Sequence, residues 1–183
     1  QLSKEEVLGQ LALEPLPPRL FENRHRRRDG SVFDVELSYN PMRWGGKLYV
    51  FCGLAPGWKP IGMVYEYDPA TDKWTKKKPM PVLSHHVALA EHRGKIYVFG
   101  GFVYPASGPA AWVPIDNAWE YDPTSDSWKA LASMPTKRGS PVAVTAGDKI
   151  YVIGGAMRPP GSKEAAVLPG RPHISVGTVE EYD

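Results

Sequence analysis

The chain has 183 residues, 42% apolar and 11% aromatic, which is enough to build a packed core and excludes a disordered segment. A net charge of +2 is too near neutral to point to nucleic acid, and one cysteine excludes an internal disulfide and leans to a reducing, cytoplasmic compartment. No apolar run approaches the roughly 20 residues of a membrane helix, QLSKEEVLGQ is too polar for a signal peptide, and the missing initiator Met is what an excised or processed piece would show.

The chain opens with a predicted helical turn over residues 3–10, where Ser3 caps, Glu6 completes a capping box and Gly9 ends it; Pro15, Pro17 and Pro18 then interrupt. FENRHRRRDGSVFDVELSYNP reads as a hairpin turning at Asp29-Gly30, with Val35, Leu37 and Tyr39 alternating with Asp34, Glu36 and Ser38. Alternation also splits the basic run Arg24–Arg28 between two faces, which suits a solvated hairpin better than a phosphate site, and Lys76–Lys78 read the same way. Ser3, Glu5, Glu6, Val7, Leu8 and Gly9, followed by Arg26–Arg28, Asp29, Gly30 and Ser31, resemble two motifs of PAS sensory domains. Only the 16 residues Gln10 to His25 separate them, so the resemblance implies a partial segment without a complete ligand cavity.

From residue 45 the chain repeats itself. The complete unit, Val87 to Met134, reads VALAEHRGKIYVFGG, a polar insert, then NAWEYDPTSDSWKALASM: four strand-like segments divided by turns at Arg93-Gly94, Gly100-Gly101 and Asp122–Asp126. Upstream it recurs as GGKLYVFCG and VYEYDPATDKW, downstream as DKIYVIGG and VEEYD. Tyr49, Tyr97 and Tyr151 correspond, as do Tyr67, Tyr121 and Tyr182, and Trp74 matches Trp128; only the inserts after the glycines change length. A period near 50 marks a propeller array. Gly100, Gly101, Tyr121 and Trp128, with Gly53, Tyr67, Trp74, Gly154, Gly155 and Tyr182, resemble the kelch signature. Cys52 stands where a glycine is expected.

The expected fold is therefore all-β: an incomplete kelch-type propeller of roughly three four-stranded blades, preceded by a short helix and hairpin. Residues 1–44 form a PAS-like partial segment and 45–183 the repeats, at about 45–82, 85–134 and a truncated 139–183. Two readings of the join remain open. Either a PAS-like piece meets the repeats in a shared strand, Gly45–Phe51, and diverges at Cys52, or residues 32–44 are the innermost strand of the first blade. A ring needs at least four blades, so the chain cannot close one alone and should expose open edges and one bare apolar face at each end, favouring self-association.

No catalytic, cofactor or metal site is predicted. Neighbours on a strand point to opposite faces, so His85 and His86 should not share an ion, and His25, His92 and His173 show no ligand spacing. Cys52 reads as a buried small hydrophobe, and neither Gly pair continues into a phosphate loop. Trp74 and Trp128 read as blade core, the latter between the second and third blades. Trp58 and Trp112 fall instead in the inserts 54–62 and 102–115 and read as exposed loop aromatics. With Lys59, Tyr104, and Arg158 and His173 from the third insert, 156–177, they are the candidate contacts of a module that binds a protein or a glycan, with neither nucleic acid nor membrane as partner. The resemblance also admits a propeller enzyme acting on sugars, although no copper-ligand set of Tyr, His and Cys is matched. The PAS-like segment admits a signalling protein.

Overall fold

The computed structural model describes residues 21–26, 32–37, 42–55, 59–105, 112–161 and 173–183. It holds strands only, with no helix among the described residues. β1 (Phe21–Arg26) and β2 (Val32–Leu37) form the expected antiparallel hairpin, in register from Phe21↔Leu37 to Arg26↔Val32. The capped turn at 3–10 and the Asp29-Gly30 turn lie outside the described residues.

The first blade consists of β3 (Met42–Trp44), β4 (Lys47–Phe51), β7 (Val64–Asp68) and β8 (Lys73–Lys76), in that spatial order; β5 (Leu54–Ala55) and β6 (Lys59–Pro60) form a small ribbon above it. The inner strand thus begins at Met42, and β2 pairs with β1 rather than with this sheet. In the second blade, β9 (Ala88–His92), β10 (Lys95–Phe99), β13 (Ala118–Asp122) and β14 (Ser127–Ala130) repeat the meander, with β11 (Phe102–Val103) and β12 (Val113–Pro114) as its ribbon. The third has β15 (Val142–Ala146), β16 (Lys149–Ile153) and β19 (Val179–Tyr182), with the ribbon β17 (Ala156–Met157) and β18 (Ile174–Ser175) and no outermost strand. Two four-stranded meanders and one three-stranded sheet are what the repeat spacing predicts.

Local chemistry explains the repeats. In the outer turn, Asp122 Oδ1 accepts the Thr124 N–H at 2.9 Å and the Tyr121 hydroxyl donates to Asp126 at 2.7 Å; Asp68, Tyr67 and Asp72 do the same in the first blade. Ahead of each ribbon the backbone turns left-handed, with φ of 59° and 105° at Gly100 and Gly101. A side chain at Gly101 would bring its Cβ to 2.7 Å from the His85 carbonyl, so the linker between blades can pass close only over glycine.

Each sheet buries one face on its neighbour, and alternation decides which residues meet. Tyr49 and Phe51 of the first blade pack on Tyr121 and Trp128 of the second, with ring centroids 6.3 Å apart for Tyr49–Tyr121 and 6.0 Å for Phe51–Trp128. Phe99 of the second meets Tyr182 of the third at 4.8 Å, among Ala88, Ala118, Ile150 and Val152.

Three expectations change. Trp128 lies between the first and second blades, not the second and third, because its register pairs it with Tyr121 on the face turned to Phe51. Trp74, its counterpart, is 56% exposed and not core, since no blade precedes it among the described residues. Cys52 does not break the repeat: its φ of 70° matches 59° at Gly100 and 64° at Gly154, and its thiol is buried with Sγ 3.5 Å from Met80 Sδ. Burial pushes that thiol up to about 12, so it is an unreactive small apolar group.

Candidate functional site

The ribbons β5–β6, β11–β12 and β17–β18 occupy equivalent places at the rim of their blades and hold the described ends of the three variable inserts. The linkers stitch them to the blades: His85 pairs with Phe102 and Gly139 with Ala156 as isolated bridges, while the Gly101 N–H donates to the Arg138 carbonyl at 2.9 Å. At this rim five rings gather. Trp112 lies 4.5 Å from His85, 5.2 Å from His86 and 5.7 Å from Phe102, and His173 lies 4.8 Å from Phe102. His173 Nε2 is 3.4 Å from the Trp112 carbonyl, tying the third insert to the second.

His86 has a φ of 54°, and this turn brings both imidazoles to one side, with their Nδ1 atoms 2.5 Å apart, where strict strand alternation would have parted them. One ring therefore donates through Nδ1 and the other accepts, in opposite tautomers. Burial, and then the neighbouring ring, lower the His85 pKa to about 3; burial lowers that of His86 as well, so both are neutral at pH 7. His85 Nε2 and Arg158 Nε are buried without a hydrogen-bond partner. Among the described residues no group of three or more His, Cys, Asp and Glu is arranged to hold a metal ion.

Of the candidate contacts, Trp112 and His173 come together, but Trp112 is half-buried in the ring cluster rather than standing free in its loop. His85 and His86 lie against it, so the indole packs back on the linker. Arg158 follows Met157, which pairs with Ile174, and so lies at the same ribbon end as His173. Tyr104 is half-buried just beyond β11, and Lys59 is exposed on the first ribbon. Trp58 lies outside the described residues.

Sequence reasoning missed the pairing of His85 with His86 and the role of Arg138. The first had a signal: 54 residues on, the same two positions are Gly139 and Ser140, and Ser140 has the same φ of 54°. Turn-forming residues there mark a bend, not a strand. Arg138 is 0% exposed; Nη1 donates to the carbonyls of Gly154 at 2.8 Å and Thr178 at 3.0 Å, and Nη2 to Glu180 at 2.7 Å. No motif marks an arginine for burial.

The kelch motif model matches residues 43–81 and 84–135. Kelch-like protein terF of Aspergillus terreus is 34% identical over 117 residues, covering 61% of this chain and 25% of that protein. Beta-scruin of Limulus polyphemus is 31% identical over 165 residues, covering 90% of this chain and 17% of its own length. The chain thus spans a quarter or less of these relatives. The solved structure of YjhT superposes with a TM-score of 0.53 at 26% identity, covering 64% of this chain and 33% of that one. The PAS-like reading of the first segment finds no support: the beta-scruin match is longer than residues 45–183, so it runs back into the first 44. In sequence and in structure the chain is a run of kelch repeats forming part of a β-propeller.

Proposed function

We propose that the chain is a non-enzymatic binding module whose ribbon rim grips a protein partner. The observation that carries this is the cluster of His85, His86, Phe102, Trp112 and His173, assembled from a linker and two variable inserts at one edge of the blades. His86, Trp112 and His173 are half-buried over the buried His85 and Phe102, and aromatic side chains held in this way are the usual anchors of a protein interface, because little conformational entropy remains to be lost when a partner covers them. The relatives named for kelch repeats agree with such a role.

Against an enzyme, no carboxylate among the described residues contacts either imidazole, so the pair lacks the orienting group a general base needs. Peptides and glycans selected for binding to the 183-residue chain would test the proposal. Peptide ligands should weaken at least about tenfold with Trp112→Ala, a loss of about 1.4 kcal/mol, and keep their affinity with Lys129→Ala on the outer strand. Ligands indifferent to Trp112→Ala and His173→Ala would overturn the rim assignment, and binding confined to glycans would replace the protein partner with a sugar.

A further inference from the structure

His85 and His86 stand where separate segments of the chain meet. The linker that carries them is bonded to β11 in both directions, the His85 N–H donating to the Phe102 carbonyl at 3.0 Å and the Phe102 N–H to the His85 carbonyl at 2.8 Å. The Trp112 ring lies against both imidazoles from the far end of the second insert, and His173 of the third insert packs on Phe102. From the next linker, the Ser140 N–H donates to the His86 carbonyl at 2.8 Å. His86 reaches its place only through a left-handed backbone, with a φ of 54°, which costs a residue other than glycine. That backbone produces the ring pair, Nδ1 to Nδ1 at 2.5 Å, beside an indole.

This arrangement has no place for a positive charge. The ionisable groups around it are His173, Arg158 at the end of β17, Tyr104 beyond β11, and Lys137 and Arg138 on the second linker, all but the phenol cationic or able to become so. Two carboxylates lie on the adjoining elements, and both are engaged: Asp116 after β12 by Lys137 at 3.9 Å, and Glu180 on β19 by Arg138 at 2.7 Å. The half-buried His86 can take one proton while it still donates through Nδ1 to His85. A second proton sets two Nδ1–H groups against each other and breaks the pair. His85 is 1% exposed and its Nε2 has no hydrogen-bond partner among the described residues, so a charge there is neither solvated nor paired.

We infer that the His85–His86 pair is an acid-operated latch on the rim: while both rings are neutral they hold Trp112 and the end of the second insert against the linker, and on taking up protons they release them. Burial keeps both imidazoles below their ordinary range, His85 at about 3. Groups lowered on folding stabilise the closed form above the ordinary value near 6.5 and lose that contribution as pH falls toward the folded value, so the latch opens between about pH 6.5 and about 3. Linkage sets the steepness: one imidazole with an open-form pKa of about 6.5 raises the opening constant about eightfold from pH 6 to pH 5, and two raise it further. The latch belongs to the free chain and needs no partner. Where a partner grips Trp112, acid would release it, and that consequence alone rests on the binding role proposed above.

Hydrogen exchange of the 183-residue chain at pH 7.5, 6 and 5, corrected for intrinsic amide rates, tests this. Protection of Phe102 and Ile115, whose N–H groups donate to the carbonyls of His85 and Gly101, should fall at least about eightfold from pH 6 to pH 5. The hairpin β13–β14, which holds no histidine, should keep its protection. The variant His85→Phe with His86→Asn has no imidazole to charge in the linker, and asparagine accepts the left-handed backbone, so its profile should be flat. If that variant is already open at pH 7.5, the ring carbon-13 shifts of His85 and His86 in the unaltered chain decide: charging in step with the loss of protection supports the latch, and loss without charging overturns it. Unchanged protection down to pH 5, a loss spread evenly over all three blades, or the same pH dependence in the double variant would overturn it as well.

Discussion

The two interfaces between blades solve the same geometric problem with opposite chemistry. At the second, the linker residue is Arg138 and the strand residue facing it is Glu180, a buried ion pair 2.7 Å long. At the first, the equivalent positions are Ser84 and Trp119: Val98 pairs with Trp119 as Val152 pairs with Glu180. Ser84 is buried as fully as Arg138, and Trp119 packs on the aromatic core of the first two blades. One interface fills the space with an indole beside a small hydroxyl residue. The other fills it with a guanidinium, whose fork also donates to the backbone carbonyls of Gly154 and Thr178. A repeat therefore conserves the volume and the hydrogen-bond accounting of a position, not its residue type.

The largest expected effect comes from breaking the ionic solution. Arg138→Met should cost about 3–5 kcal/mol, since it strands the Glu180 carboxylate and the Gly154 carbonyl without a donor. Transplanting the other interface's answer, Arg138→Ser with Glu180→Trp, should recover much of that loss. Urea melts of the single and double variants decide it; a single variant within about 1 kcal/mol of the unaltered chain would show the pair to be incidental.

The same position occupied with and without a neighbour gives the next contrast. Trp128→Ala should cost about 3 kcal/mol, the low end for a buried aromatic, because it empties the contact with Phe51 and removes the indole N–H bond to the Lys78 carbonyl at 3.1 Å. Trp74→Ala should stay within about 0.5 kcal/mol. In the third blade the Trp is absent and the Tyr182 hydroxyl donates instead to the Ala132 carbonyl, which is the counterpart of Lys78 54 residues on. Equal losses at Trp74 and Trp128 would mean that burial by the neighbouring blade is not what makes this tryptophan matter.

These contrasts also mark how far the sequence can be read. Strand alternation, the Gly pairs and the Asp-Pro turns are local codes, so the three meanders were legible from Lys47 to Tyr182. The direction of Trp128 was not, because a single strand does not say which side its neighbour lies on. Trp74 reads like Trp128 and differs only in what stands beyond it. The rim cluster was half legible: Trp112 and His173 stood out as insert residues, but their meeting needs two inserts of different length to fold back on one linker. His86 hid behind the alternation rule, and Arg138 behind the expectation that arginine faces water.

A near-cancelling effect is expected at the position where the first blade departs from the other two. Cys52 holds a left-handed backbone that costs a non-glycine residue roughly 1–2 kcal/mol, and it gains a buried thiol packed on Met80 in return. Cys52→Gly removes both contributions, and since they oppose each other the net change should lie within about 1 kcal/mol. The reverse exchange in the second blade is not symmetric. Gly100→Cys meets the same backbone cost, and its Cβ would also press on the Arg138 carbonyl and lie 2.9 Å from Met134 Cε. Beside Cys52, at Gly53, the nearest atoms to an added Cβ are side chains of Ile61 at 3.3 Å and Met63 at 3.5 Å, which can move; the Arg138 carbonyl is fixed by its bond from the Gly101 N–H. Gly100→Cys should thus cost more than about 2 kcal/mol. Chemical denaturation of the two exchanges, side by side, measures how tightly each linker crosses its blade. Similar losses in both would show that the crossing is equally close at the two sites and that Cys52 is tolerated for some reason other than space.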